Sequence, residues 1–166
     1  PIDASDVTRH LPRNYTAVRF YFNESFPDTE ENRTFVTRLI QTLSDAGDIV
    51  LLNPDLHIDD HWDLQIRHPH VHTIDHLITP RNNLEIQTKV ISQARAFVGT
   101  YGGLSYLAPL YGVTSLAFYS HGEKFSPRHL ELARRVFGKM KRGSYVVLDT
   151  GDVEVLSLAF GESSPF

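Results

Sequence analysis

The amino-acid sequence predicts an α/β fold: a doubly wound, mostly parallel six-stranded Rossmann-like sheet in three layers, with helices on both faces. Short runs rich in β-branched and aromatic residues alternate along the chain with segments whose apolar residues recur at helical spacing. Such alternation implies right-handed crossovers between parallel strands, and we expect the strand order 3-2-1-4-5-6. The length of 166 residues and the hydrophobic fraction of 41% fit one globular domain.

Within that domain, six runs are predicted as strands. The apolar run 48–53 between Gly47 and Pro54 is typical of a strand buried in a parallel sheet. The predicted strands cover residues 15–22, 48–53, 71–74, 96–100, 114–119 and 145–148. The polar stretch 54–69 is predicted as a loop. We expect a leading segment or linker over 1–14, the domain over 15–160 and a tail over 161–166.

Two of the helices carry the same start signal. The first is predicted to begin at Asp28, because Glu31 three residues later completes a capping-box pattern, and to end at Gly47. Asn82 and Glu85 repeat that pattern before a helix over 84–95. Its apolar residues are predicted to share one side of the helix: Leu84, Ile86, Val90, Ile91 and Ala94.

Three further helices complete the alternation. A short helix over 102–111 is closed by Gly112. Ser126 followed by Pro127 predicts the start of the next helix, because proline suits the first helical position. The apolar positions of that helix are Leu130, Leu132, Ala133, Val136 and Phe137. A last short helix is predicted over 153–160.

Composition excludes several classes of protein. The net charge of −4 argues against a protein that binds nucleic acid through its phosphates. The absence of cysteine excludes disulfides, thiolate zinc sites and a cysteine nucleophile; it fits a reducing compartment, and we expect a cytoplasmic protein. No apolar run approaches the roughly 20 residues of a membrane span. Since the sequence starts at Pro1 and its one methionine is Met140, we expect a piece cut from a longer polypeptide.

The strongest candidate for a ligand site is the run AFVGTYGGLS at 96–105. A buried strand runs into paired glycines and then into a helix, whose first N–H groups have no internal partner and favour phosphate. The candidate diphosphate-binding residues are Thr100, Tyr101, Gly102, Gly103, Leu104 and Ser105. The spacing is neither that of a Walker loop nor Gly-x-Gly-x-x-Gly. The alternative is a tight turn that needs glycine for its geometry alone.

Residues 84–120 resemble part of a known superfamily. The runs LEIQTKVISQAR, AFVGTYGGLSYLAPLYGV and TSLAFYS look like the carboxyl-terminal, nucleotide-sugar-binding domain of GT-B-fold glycosyltransferases. The order of elements extends the resemblance over most of 15–160. It implies that the glycine turn holds the diphosphate of a nucleotide sugar, and that neither a metal nor another cofactor is required. It also implies that the acceptor site and the usual general base belong to a missing N-terminal domain.

Two further loops are expected at the same edge of the sheet. Arg19 inside the first strand, Asn23 and Ser25 after it, and His121 and Lys124 after the fifth strand are candidate phosphate or sugar contacts. The alternative is a surface or interdomain residue at Arg19, an ordinary turn at Asn23 and Ser25, and a mobile loop at His121 and Lys124.

The resemblance places the base of the nucleotide beside the loop after the third strand. Its candidate residues are His76, Leu77 and Ile78, with Leu77 and Ile78 on either side of the base. The alternative is a plain connection between two elements.

Six of the nine histidines fall between His57 and His76. His68, His70 and His72 alternate, so an extended chain places them on one face, a spacing that can bind zinc. Because Pro69 interrupts them and no carboxylate is fixed nearby by the sequence, we expect no metal site, although the pattern leaves one open. The pair Asp59-Asp60 and the basic run 139–142 are interpreted as solvated charge.

These observations favour the donor-binding domain of a GT-B-type glycosyltransferase, inactive as an isolated fragment. Two alternatives remain. One is a Rossmann-like ligand-binding or interaction domain without catalytic activity. The other is half of a sugar-nucleotide epimerase, which needs carboxylates in the cleft that the sequence does not identify. Fold analogy alone does not choose among them.

Overall fold

A computed structural model describes residues 7, 9–52, 68–140, 142–153 and 155. Six strands form one sheet in the order β3-β2-β1-β4-β5-β6, and all five neighbouring pairs are parallel. The strands are β1 (Thr16–Arg19), β2 (Ile49–Leu51), β3 (Val71–Thr73), β4 (Ala96–Thr100), β5 (Thr114–Tyr119) and β6 (Tyr145–Asp149). The helices are α1 (Glu30–Ala46), α2 (Asn83–Gln93), α3 (Gly103–Leu110) and α4 (Pro127–Met140). The predicted fold class and strand order are confirmed.

Helices cover both faces of the sheet. Val18, Leu51 and Val98 point to the face that α1 covers. Their chain neighbours Ala17, Val50 and Phe97 point to the face that α2 and α3 cover. Successive residues of a strand face opposite ways, so each strand contributes to two cores. This explains the almost continuous apolar runs that predicted buried parallel strands.

The N-cap of helix α1 is Thr29, one residue later than the predicted cap Asp28. The Thr29 hydroxyl, and not Asp28, accepts the N–H of Asn32 at 3.2 Å. Asp28 instead accepts two hydrogen bonds from the Arg33 guanidinium, at 2.5 and 2.7 Å. Gly47 ends the helix as predicted, its N–H donating to the Leu43 carbonyl at 3.1 Å.

Some positions predicted to be apolar contacts are exposed. Leu84 is 69% exposed because it lies in the first turn of α2, beyond the edge of the sheet, whereas Ile86, Val90 and Ile91 are buried. On α4, Leu132 and Val136 are exposed and Ala133 and Phe137 are buried. The buried stripe of α4 is therefore narrower than its apolar pattern suggests.

Parts of the predicted chain organisation lie outside the described residues. Residues 1–6, residues 53–67 with His57 and Asp59-Asp60, and residues 156–166 with the predicted tail are among them. Residues 150–153 are helical, so the helix predicted at 153–160 begins earlier than expected. Among the described residues, no helix combines the length and the apolar character that crossing a bilayer requires.

Candidate functional site

A pocket of about 240 Å³ opens at the point where the strand order of the sheet reverses. Strands β2 and β3 lie on one side of β1. Strands β4, β5 and β6 lie on its other side. The pocket lies at the carboxyl ends of β1 and β4, the place where open parallel sheets bind ligands. Its walls come from the end of β1 and from the first turns of α2 and α3. The lining residues are Arg19, Tyr21, Asn83, Leu84, Gln87, Gly103 and Leu104.

The two glycines of the turn differ in their surroundings. A Cβ at Gly102 would overlap the Tyr21 hydroxyl, so Gly102 has no room for a side chain. A Cβ at Gly103 would meet nothing within 4 Å, and Gly103 lines the pocket. Packing within the described chain therefore requires glycine at 102 but not at 103.

The N-terminus of α3 presents hydrogen-bond donors to this space. Ser105 accepts the Gly102 N–H at 3.1 Å through its hydroxyl oxygen and donates to the Gly102 carbonyl at 2.7 Å. The N–H groups of Gly103 and Leu104 have no hydrogen-bond partner within the ranges that the structure describes. The helix dipole adds partial positive charge at the same point.

A guanidinium group supplies full positive charge beside these donors. Arg19 donates to the Leu52 carbonyl and, at 3.3 Å, to the side-chain oxygen of Gln87. Gln87 in turn donates to the Asn83 side chain. This chain of contacts holds Arg19 at the pocket wall, with its guanidinium carbon 5.9 Å from the centre of the Tyr21 ring. Among the described residues that line the pocket, none carries a carboxylate.

Three of the predicted diphosphate-binding residues have structural contacts instead. The buried Thr100 hydroxyl accepts the Tyr21 N–H at 3.0 Å and donates to the Tyr21 carbonyl at 2.8 Å. Tyr101 is 8% exposed and its hydroxyl accepts a hydrogen bond from Tyr106. Ser105 is fully buried. Their side chains shape the turn, so Gly103 and Leu104 are left as the predicted residues that line the pocket.

A second hydroxyl group supports the Ser105 contacts. The Tyr145 hydroxyl lies 3.0 Å from the Ser105 oxygen, and since Ser105 donates its own proton to Gly102, Tyr145 is the donor. Burial raises the pKa of Tyr145 to about 12, so it keeps this proton at neutral pH. Strand β6 therefore helps to fix the start of α3.

Asn23 and Ser25 belong to a tight turn. The Asn23 side-chain oxygen accepts the N–H groups of Ser25 and Phe26, at 2.9 and 2.8 Å, and also the Ser25 hydroxyl. The Ser25 carbonyl accepts the N–H groups of Ser120 and His121. The Asn23 side chain therefore stabilises the turn itself. The Ser25 carbonyl joins the loop after β1 to the loop after β5.

His121 and Lys124 lie at the predicted edge of the sheet but do not line the pocket. His121 faces Glu123 at 4.0 Å, and the Lys124 ammonium lies 3.8 Å from the carboxylate of Glu24. Both side chains are about half exposed. The structure places them beside the turn at Ser25 and leaves a role toward a ligand untested.

The loop after β3 places two of the predicted base-binding residues in the core. Leu77 and Ile78 are 2% and 8% exposed and pack in the core beneath α2. Their side chains contact the apolar core, and a contact of this loop with a base stays a prediction. His76 is exposed, with its ring 6.0 Å from that of His10.

The predicted face of histidines forms at the opposite, amino-terminal edge of the sheet. His70 and His72 both contact one carboxylate oxygen of Asp48, at 3.1 and 2.9 Å. Their hydrogen bonds, His72 first, hold the pKa of Asp48 below its usual range. His68 faces Asp45 at 3.5 Å. In the part of the chain that the structure describes, no group of three or more potential ligands is arranged to hold a metal ion.

Sequence reasoning missed the contribution of α2 to the pocket. Asn83, Leu84 and Gln87 lie in its first turns, and Tyr21 lies just past β1. One signal was present: a helix that leads from β3 to β4 must begin at the carboxyl edge of the sheet. The spacing of Asn83 and Gln87, one helical turn apart, then places both amides on one face.

Comparisons with known proteins give few matches. No protein-family model matches the chain, and no curated protein matches it. Among solved structures, a crystal structure of the glycotransferase of kitacinnamycin matches with a TM-score of 0.45 and 12% identity. The match covers 82% of this chain and 31% of that one, so the chain spans less than a third of the length of that protein. Because so low a TM-score does not support a transfer of function, the function of this chain has to be inferred from its own residues.

Proposed function

We propose that this chain is the donor-binding domain of a GT-B-type glycosyltransferase and that the N-terminus of α3 holds the diphosphate of a nucleoside diphosphate sugar. The resemblance of residues 84–120 supports the class of enzyme. The pocket between β1, α2 and α3 supports the position of the ligand.

The observation that carries the proposal is the setting of Gly103. A Cβ built on Gly103 would meet nothing within 4 Å. In the described part of the chain, the N–H groups of Gly103 and Leu104 at the N-terminus of α3 have no hydrogen-bond partner. Phosphate oxygens suit these donors because the helix end carries about half a positive charge. A side chain at 103 would fill the space that a phosphate needs.

The chemistry depends on where charge develops. In sugar transfer, the bond between the anomeric carbon and the diphosphate oxygen breaks, and the electron pair stays on that oxygen. Backbone N–H groups aimed at it, with the Arg19 guanidinium at the pocket wall, stabilise the leaving diphosphate. Because these groups are held in place before the reaction, they need little reorganisation as the bond breaks.

Catalysis is proposed to need a second domain. The pocket is open to solvent, and among the described residues that line it none carries a carboxylate or an imidazole that could act as general base. We expect the acceptor and the base to come from the domain that faces this edge of the sheet in the complete enzyme. The fragment alone is then expected to bind a nucleoside diphosphate weakly and to transfer no sugar.

Calorimetry on the Gly103→Val variant tests the site. We expect it to weaken UDP or GDP binding at least tenfold without unfolding the domain, because the new side chain enters open space. Gly122→Val is the matched control, because a Cβ at Gly122 also meets nothing within 4 Å and Gly122 is not among the described residues that line this pocket. Equal binding by Gly103→Val and the control would reject the site.

A further inference from the structure

A second pocket, of about 420 Å³, lies at the amino ends of β5 and β6. The last turns of α4 and the turn that leads into β6 form its walls. Since β5 is six residues long, roughly 20 Å of strand separates this edge from the pocket at α3. The two pockets therefore belong to different sites.

The charged side chains that are described in the lining of this second pocket are positive. Arg134 and Arg142 line it, and none of its lining residues within the described part of the chain is acidic, although the net charge of the chain is −4. By contrast, the neighbouring Arg135 is paired with Glu131 at 2.8 Å. The carboxyl end of α4 contributes about half a negative charge, which is less than the charge of two guanidinium groups. The balance favours an anion.

A glycine keeps the pocket open. Gly138 lines it from within α4, where glycine is less favourable than alanine. A Cβ at this position would meet nothing within 4 Å, so packing in the described chain does not require glycine. The missing side chain leaves room between the two arginines and the strand ends.

Hydroxyl groups and the stem of Arg142 complete the walls. Thr114 and Ser144 line the pocket, and the Thr114 hydroxyl oxygen accepts the Ser144 N–H at 3.4 Å. The side chain of Arg142 is exposed and starts beside Gly112, where an added Cβ would stand 3.6 Å from the Arg142 Cβ.

We propose that this pocket is a second binding site, for a small phosphorylated molecule. Near pH 7 a phosphate monoester carries close to two negative charges and presents three acceptor oxygens, which match two guanidinium groups. The volume lies within the range of small-molecule pockets and exceeds what a phosphate group alone needs. Arg134 and Arg142 bind the phosphate, and the hydroxyls of Thr114 and Ser144 orient it.

Amide chemical shifts measured by NMR test this site, with inorganic phosphate and glycerol phosphate as probes at 150 mM NaCl. We expect saturable shifts at Thr114, Gly138 and Ser144, tighter for the ester than for inorganic phosphate. Arg134→Gln and Arg142→Gln should each raise Kd at least fivefold. Arg128→Gln is the control, since it removes an exposed arginine from the first turn of the same helix; its Kd should change less than twofold.

Two more variants separate this site from the first one. Gly138→Leu fills the pocket and should abolish the shifts while thermal melting shows a folded domain. Gly103→Val should leave phosphate binding here unchanged, so the result does not depend on the proposed function. Shifts that rise linearly without saturation, that survive both arginine variants, or that centre on Gly103 and Leu104 would overturn the proposal.

Discussion

At the scale of single residues, Gly102 and Gly103 are adjacent but serve different purposes. The Tyr21 hydroxyl occupies the space where a side chain of Gly102 would lie. Gly103 faces the pocket and has open space before it. The sequence predicts the glycine pair as one motif and cannot divide it, because Tyr21 lies far away along the chain and only the fold brings it to Gly102.

Because of this difference, we expect alanine to change the free energy of unfolding at Gly102 but not at Gly103. Gly102→Ala should lower the free energy of unfolding by about 1–3 kcal/mol, because Tyr21 must move to make room. Gly103→Ala should stay within about 0.5 kcal/mol of the parent. Tyr21→Phe should recover part of the loss in Gly102→Ala, since it removes the overlapping oxygen. Urea denaturation measures all three, and equal losses in the two alanine variants would contradict the assignment.

Asp48 gives a second prediction at this scale. Because hydrogen bonds from His72 and His70 lower its pKa in the folded state, its carboxylate stabilises the fold above the pKa of an unfolded aspartate, near 4. That contribution is lost as the pH falls through the lowered pKa. Asp48→Asn should therefore reduce Tm at pH 5, and the difference from the parent should shrink toward pH 2.5. A difference that does not change with pH would contradict this contribution.

At the scale of elements, sequence signals predict a boundary well where residues next to that boundary determine it. The bounds of β4 and β5 and the start of α4 at Pro127 agree with the prediction. Prediction fails where the hydrogen-bond partner or the exposure of a single side chain matters. Thr29 caps α1 while Asp28 pairs with Arg33, and Leu84 is exposed although it continues the apolar pattern of α2. Neither outcome is visible in hydrophobic periodicity.

Ser105 is the residue on which the start of α3 depends. Ser105→Ala removes both of its contacts with Gly102 and leaves the buried Tyr145 hydroxyl without this acceptor. We expect a loss of about 1–2 kcal/mol in the free energy of unfolding. Ser92→Ala is the control, because Ser92 donates only to the Lys89 carbonyl within α2, and it should cost less than about 0.5 kcal/mol. Similar losses in the two variants would contradict this function of Ser105.

At the scale of the whole molecule, the alternation of elements was enough to predict the strand order, since right-handed crossovers leave few other arrangements. The order in turn predicts a ligand site at the carboxyl ends of β1 and β4. Which side chains reach that place depends on how far each strand and helix extends. Gly103, Leu104 and Arg19 of the predicted site line the pocket there, and so do Asn83 and Gln87, which the sequence does not identify.

The position of nucleotide binding tests the central claim most directly. We would titrate the isotopically labelled chain with UDP and with GDP, follow backbone amide shifts by NMR, and assay sugar transfer from the corresponding donors. We predict saturable shifts that are largest over residues 100–106, smaller ones around Arg19 and Gln87, loss of both in Gly103→Val, and no sugar transfer. Shifts centred on residues 68–72, an unchanged response in Gly103→Val, or robust transfer by this chain alone would contradict the claim.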